Sequence, residues 1–320
     1  MKQCDVVVVG GGPAGSTCAW KLRAAGLDVI VLDRAAFPRS KLCAGWITPQ
    51  VVEDLQLDLD TYPHSLMTFP RLFLHWKKLG FSKKTMQHSI RRVEFDDFLL
   101  QRSAATVIQH NVRQVDRQRD GFLIDDEYRC RYLVGAGGTA CPVYKTLFHD
   151  ANPRAKTLQI ATLELEFEHA WQHDDCHLWF FEDGLPGYAW YVPKACGYVN
   201  IGLGGAARKL QAGGTQLKSL WRKFVHKLNR GGFVADAALK PGGYSYYLRG
   251  DVRTVRIGNA MIVGDSAGLA SNDLGEGIGP AVRSALHAAA AISSGSDYNL
   301  DKLQRYSLPQ PAGLFLRCNY

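Results

Sequence analysis

Three glycines and one acid carry the first chemical signal in the chain. Gly10, Gly12 and Gly15 stand in G-x-G-x-x-G spacing, and Asp33 follows about 20 residues later. Gly10 suits a tight turn, Gly12 lets backbone approach a pyrophosphate, and Gly15 lets a helix pack closely on a strand. Pro13 and Ala14 open that helix, whose first N–H groups and positive dipole end favour phosphate. Asp33, followed by Arg34, offers a carboxylate to ribose hydroxyls. The alternative is a plain glycine-rich turn. The elements needed to position these residues occur in the right order. An apolar β-branched run over Asp5–Val9 reads as a buried parallel strand. A helix over Pro13–Ala25 stops at Gly26, and a second strand over Val29–Leu32 ends at Asp33.

Other chemical residues are spread along the chain. Lys41, Cys43 and Ala44 lie in a Pro- and Gly-containing loop after Asp33, and Arg92 opens a helix over Val93–Ala105. A glycine-rich loop, VGAGGTACPVY, follows a strand at Tyr128–Val134. Gly264-Asp265 closes a strand at Ala260–Val263, and Gly275, Gly277 and Ile278 open an Ala-rich helix over Gly277–Ser293. Tyr188-Ala189-Trp190-Tyr191-Val192-Pro193 is an alternating aromatic strand. As residues alone, several of these have plainer readings. Arg92 also reads as a surface partner of Glu94 or Asp96, and Asp265 as a helix N-cap. Lys41 also reads as solvated and Cys43 as small filler, and the aromatic hexamer as ordinary core. His173-Asp174-Asp175-Cys176-His177 has metal-ligand residue types but reads as a polar loop, so no metal is expected.

Composition sets the bounds. The 320 residues are 46% hydrophobic and 21% charged, which suits a globular chain of one or two domains. No apolar run nears the ~20 residues of a membrane span. The first strand starts too early to leave room for a signal peptide. Eight scattered cysteines without a C-x-x-C pair suit a reducing, cytoplasmic setting. The net charge of +8 comes with no nucleic-acid motif, so no nucleic-acid partner is expected. It leaves room for an anionic substrate, NADPH or peripheral contact with an acidic membrane.

The remaining elements divide the chain. Strands are expected at Arg71–Trp76 and Lys84–Arg91 around a Lys/Gly-rich turn, after a helix over Pro49–Leu55. Thr106–Gln118 is strand-like, with a hairpin turn at Asp120-Gly121 and a returning strand at Phe122–Asp125. LQIATLELEFEH, HLWFFED, YAWYVPK and GYVNIGLGG read as an aromatic-rich antiparallel sheet, with one helix over Gln216–Leu228. A short helix and a Pro-broken end close the chain.

The N-terminal βαβ unit, the middle glycine loop and the Gly264-Asp265 turn stand in sequence order. That ordered set, from Asp5 to about Ala291, resembles the FAD-dependent oxidoreductases of the p-hydroxybenzoate hydroxylase superfamily. Within it the chain is most similar to the geranylgeranyl reductase family. The resemblance implies an α/β fold: a Rossmann-like FAD-binding domain with a parallel sheet, plus a mostly antiparallel β-sheet substrate domain. The expected boundaries are 1–65, 92–156 and 250–320 for the first and 66–91 and 157–249 for the second.

The family's roles carry over position by position. Gly10, Gly12, Pro13, Ala14 and Gly15 would cradle the FAD pyrophosphate. Asp33, where relatives carry Glu, would take the ribose, beside Arg34. Lys41, Cys43 and Ala44 match the family's F-P-R-x-K-x-C-x-G segment near the flavin, and Arg92 its R-x-x-F-D-x-x-L helix start. Asp265, after Gly264, would bind the ribityl chain, and Gly275, Gly277 and Ile278 would face the flavin's pyrimidine edge. Tyr188, Trp190 and Pro193 match the substrate-lining Y-x-W-x-F-P signature, with Val192 in place of Phe. Catalytic candidates are Cys43 and Tyr188. The implied activity is reduction of carbon–carbon double bonds in an apolar isoprenoid or lipid substrate. With no second G-x-G-x-x-G, electrons would come from transiently bound NAD(P)H or a donor protein.

Two alternatives stand beside it. One is an FAD monooxygenase or halogenase acting on an aromatic or polyketide substrate. Gly137-Gly138, where the superfamily carries Asp-Gly, weakens the hydroxylase version. The other is an FAD-binding protein with a regulatory role.

Overall fold

The computed structural model describes residues 1–64, 66–77, 79–235 and 238–307. Strands and helices are numbered along the chain. The chain forms two compact units. The first comprises Met1–Arg39, Val93–Ala155 and the described residues from Tyr247 on, and the second comprises Ser40–Arg92 and Lys156–Tyr246. Residues 40–65, expected with the FAD-binding part, cluster with the second unit. They form the short strand β3 (Trp46–Ile47) and helix α2 (Pro49–Asp54). β3 and β4 (Met67–Thr68) both pair with β7 (His88–Ser89), and that pairing ties the loop after Asp33 to the second unit.

The first unit is built on an eight-stranded sheet. Its path is β17 (Arg256–Ile257), β18 (Ala260–Ile262), β11 (Tyr128–Gly135), β1 (Lys2–Val9), β2 (Val29–Asp33) and β8 (Thr106–Gln109). β18, β11, β1, β2 and β8 run parallel. β9 (Val115–Gln118) and β10 (Gly121–Ile124) add an antiparallel hairpin to β11. The expected single strand over Thr106–Gln118 is therefore two strands. Its halves pair with different neighbours, and residues 110–114 must turn the chain between them.

Val6, Val7 and Val8 are fully buried, as the continuous apolar run requires of a parallel strand covered on both faces. α1 (Pro13–Ala24) and α6 (Ile278–Ser294) pack side by side. Both helices carry small buried residues: Ala14, Cys18 and Ala19 on one, Ala285, Ala288 and Ala289 on the other. Helix α3 (Arg92–Arg102) adds Phe95 and Leu99 to the buried apolar set. The helix expected near the C-terminus is only a turn at residues 301–302, and the Pro-broken end lies outside the described residues.

The second unit carries a seven-stranded sheet in the order β16 (Gly242–Tyr247), β12 (Gln159–Glu168), β15 (Tyr198–Ala206), β14 (Gly187–Lys194), β13 (Cys176–Phe180), β5 (Arg71–Trp76) and β6 (Leu79–Lys84). All registered pairs are antiparallel except β13 with β5. The strand expected at Lys84–Arg91 is displaced. Leu79–Lys84 is already strand, with Leu79 paired to Trp76. α4 (Ala207–Ala212) and α5 (Leu217–Arg230) follow β15. On α5, Leu220, Trp221, Phe224 and Leu228 form a buried stripe at helical spacing. It packs with Ala189, Tyr191, Val199, Ile201 and Leu203 of β14 and β15 in one core. Each such large apolar side chain contributes about 1.5–3 kcal/mol by burial.

Candidate functional site

In the first unit, three glycine-bearing turns leave the C-terminal ends of adjacent parallel strands. Gly10–Gly15 follows β1, Gly137–Ala140 follows β11, and Gly264–Ser266 follows β18. Open parallel sheets bind ligands at these ends, where strand order reverses. β1 occupies that position, with β2 and β8 on one side and β11 and β18 on the other.

The first turn is shaped for backbone contact. A Cβ on Gly15 would lie 1.8 Å from the Gly10 carbonyl oxygen, so only glycine lets α1 start so close to β1. A Cβ on Gly12 would meet only Arg39 Nη2, at 3.5 Å, so open space lies in front of it. Gly12 caps α1, with Pro13 in the first position. The first turn holds no acidic residue and no side chain caps it, so Ala14 and its neighbours present a helix N-terminus suited to an anion. The Asp33 carboxylate accepts N–H bonds from Gly11 at 2.7 Å and Ala35 at 2.9 Å. That fixes it beside the glycines, with one lone pair on each oxygen still available. Arg34 is exposed. Arg39 stacks over Phe37 and lies 3.5 Å from the fully buried Asp96. That pairing sets its guanidinium near Gly12.

The other two turns are locked together. Arg154 donates to the carbonyls of Thr139, Asp265 and Ser266 at 2.5, 3.0 and 2.9 Å, with its guanidinium over Tyr144. Ser266 Oγ donates to the Gly138 carbonyl, and Ser284 Oγ of α6 accepts the Gly264 N–H. A Cβ on Gly264 would sit 3.3 Å from the Ala14 side chain, so the third turn also lies against the first. Arg154 was not singled out in the sequence, because one arginine in a loop carries no pattern. Gly275 and Gly277 flank Glu276 before Ile278 opens α6. Glu276 is half-buried and accepts the Gly279 N–H, so that N–H is not available to a ligand. Burial pushes the Glu276 carboxyl up, and that N–H bond and Arg283 draw it down.

In the second unit, the candidate residues Tyr188 and Trp190 lie on the sheet face opposite α5. Residues paired across antiparallel strands share a face. Tyr188, Gly204 and Thr162 form one such row, and Trp190, Gly202 and Glu164 form the next. Tyr188 and Trp190 have ring centroids 5.8 Å apart, and Phe180 lies 5.5 Å from Tyr188. Pro193 does not join them. It pairs with Val199 on the alternate rows and lends its carbonyl to Ser89. Its part is to hold β14 against residue 89.

The loop carrying Cys43 is clamped onto this face. Asn200 Nδ2 donates to the Cys43 carbonyl at 3.2 Å, and Asn200 Oδ1 accepts from Trp190 Nε1 at 2.7 Å. Lys194, fully buried, donates to the carbonyls of Ala44 and Ile90 at 2.8 and 2.5 Å. Its Nζ lies 3.4 Å from Glu166, which also pairs with Arg91 at 3.0 Å. Burial draws the Lys194 ammonium below its ordinary range, and Glu166 opposes that. Lys41 places its ammonium 3.0 Å over the Tyr244 ring, and Arg92 is buried. Glu164, Asn200 and Lys194 were missed in the sequence. LELEFE alternates polar and apolar residues as a half-exposed strand does, and nothing in that pattern marks the polar face as buried.

These turns and their parallel sheet define a dinucleotide-binding fold of the flavoprotein class. The family described as FAD dependent oxidoreductase matches residues 5–118. A menaquinone reductase of Mycobacterium tuberculosis is 30% identical over 327 residues, covering 91% of this chain and 76% of that protein. A digeranylgeranylglycerophospholipid reductase of Methanosphaera stadtmanae is 23% identical over 337 residues, covering 96% and 82%. A solved geranylgeranyl bacteriochlorophyll reductase-like protein of Thermoplasma acidophilum shares the fold with a TM-score of 0.80 at 19% identity, covering 92% and 79%. The chain belongs to this family of FAD-dependent oxidoreductases. It is an enzyme related to the geranylgeranyl and menaquinone reductases. No helix among the described residues is long and apolar enough to cross a membrane.

Proposed function

We propose that this oxidoreductase reduces carbon–carbon double bonds in an apolar isoprenoid or lipid substrate. The observation that carries the reading is the second unit's sheet face. There Tyr188 and Trp190 lie in line with polar groups and with the loop of Cys43. The reductase names of the relatives support the same substrate class.

The residues present fit FAD. In this reading the uncapped start of α1, with Gly12, Pro13 and Ala14, holds the pyrophosphate, and Asp33 takes the ribose through its remaining lone pairs. Arg39 adds positive charge beside Gly12. Gly264 and Asp265, fixed by Arg154 and Ser284, take the ribityl chain. Gly275, Gly277 and Ile278 supply the backbone edge for the flavin, and Lys41, Cys43, Ala44 and Arg92 keep the cofactor-side roles that the family resemblance implies. FAD, once reduced, supplies a hydride equivalent. The chain's own residues bind the apolar substrate on Tyr188 and Trp190 and hold polar groups at fixed points around it. The +8 net charge suits an anionic substrate head and a transient NAD(P)H or acidic protein donor. The free thiols among the described residues suit a reducing compartment.

The test is anaerobic photoreduction of the holoprotein, then exposure to geranylgeranyl diphosphate, menaquinone and O₂ in turn. Return of the oxidised flavin spectrum with an isoprenoid acceptor supports the reading. Reoxidation by O₂ alone, with substrate oxygenation, would point instead to monooxygenase or halogenase chemistry.

A further inference from the structure

Glu164 is a buried acid to which no role has been given. It is 3% exposed, and its Oε2 has no hydrogen-bond partner. An unmatched carboxyl oxygen inside a protein is costly and calls for a reason. The surroundings of Glu164 supply one. It sits in one cross-strand row with Gly202 and Trp190. A Cβ on Gly202 would strike the Trp190 indole at 2.1 Å, so the ring lies across Gly202, between its own strand and that of Glu164. Asn200 hydrogen-bonds the Glu164 carboxyl while holding the Cys43 carbonyl and Trp190 Nε1. The acid is thus fixed against the aromatic face and the Cys43 loop, the two features on which the reductase reading rests.

We propose that Glu164 is the proton donor to the substrate double bond, with Oε2 carrying the proton. The inference rests on the reductase reading above. In the step, one alkene carbon gains the hydride equivalent of the reduced cofactor. The other gains the proton as the Oε2–H bond breaks and a C–H bond forms. The π pair is consumed, the substrate is reduced by two electrons and the cofactor is oxidised by two. Glu164 is left as a carboxylate and is reprotonated from water.

The charges facing the group suit both halves of this cycle. Burial raises the Glu164 carboxyl to about 7, while Lys41, Lys194, Arg92 and the Asn200 bond pull the other way. A proton held near neutrality is available to be given and recovered. Lys41, Lys194 and Arg92 stabilise the carboxylate left behind. Glu166, on the same strand, is less suited because Arg91 and Lys194 already hold both its oxygens.

The test compares wild type with Glu164→Gln, which keeps the shape and the Asn200 contact. In anaerobic single turnovers with geranylgeranyl diphosphate, the wild-type rate should fall about tenfold per pH unit above about 7. Glu164→Gln should be slower by about 100-fold at pH 6 and show no such break. Glu164→Asp should keep the break with partial activity. A readout independent of turnover is infrared difference titration of the resting holoenzyme. It should show a protonated-carboxyl band that titrates near 7 in wild type and is lost in Glu164→Gln. A variant that folds, keeps its flavin and retains the wild-type rate and pH break would overturn the assignment, as would absence of the band. If the wild type itself reduces neither geranylgeranyl diphosphate nor menaquinone, the reductase reading fails and the assignment falls with it.

Discussion

The glycine turns of the first unit and the sheet face of the second solve different problems. The first offers backbone: N–H groups at a helix start, and turns packed so closely that side chains are excluded. The second offers side chains held by other side chains. Lys194 and Asn200 fix the Cys43–Gly45 loop, and Trp190 and Glu164 both lean on Asn200. Backbone sites tolerate almost no added atoms. Side-chain sites tolerate changes in shape but not the loss of a buried partner.

The steepest break in that comparison is at Gly15. Gly15→Ala puts a methyl on the Gly10 carbonyl, and a loss of about 4 kcal/mol or more in stability, with loss of flavin, should appear in denaturant unfolding. Gly12→Ala is the control within the same turn. Its Cβ has room, so stability should change by less than about 1 kcal/mol while flavin affinity falls. In the second unit, Lys194→Met should cost about 3 kcal/mol. It leaves the Ala44 and Ile90 carbonyls unmatched in the interior and removes a partner of Glu166.

Glu164→Gln should act with the opposite sign at high pH. The carboxyl is raised from 4.5 to about 7, so its contribution to stability is fully present below 4.5 and is lost as pH rises through about 7. Above that range the variant should be more stable than wild type by up to about 3 kcal/mol, and the two should converge in acid, as urea titrations at several pH values will read. Trp190→Phe should cost about 1 kcal/mol for the lost bond to Asn200.

The same contrast explains what the sequence made legible. Gly10, Gly12, Gly15 and Asp33 have a spacing dictated by backbone geometry, and β2 and α1 fall within a residue of expectation. Gly264-Asp265 could be placed for the same reason. Asp96 was read as part of a helix start or as a surface partner of Arg92, yet it is the buried anchor of Arg39. Glu164 and Lys194 stand in strands whose alternation predicts polar-out, and only the fold of the 40–45 loop over that face buries them. Pro193 was grouped with Tyr188 and Trp190 by motif, whereas strand alternation puts it on the other face. Residues 77–83 were read as turn because Lys and Gly outnumber apolar residues there. Pairing with β5 overrides that local preference.

The most direct test of the central claim is the mass of the product. Photoreduced holoprotein, held without oxygen and given geranylgeranyl diphosphate or menaquinone, should return its flavin to the oxidised spectrum. The isoprenoid chain should gain two carbon-bound hydrogens for each double bond reduced. A flavin that stays reduced until air is admitted, with a product that gains oxygen rather than hydrogen, would contradict the account.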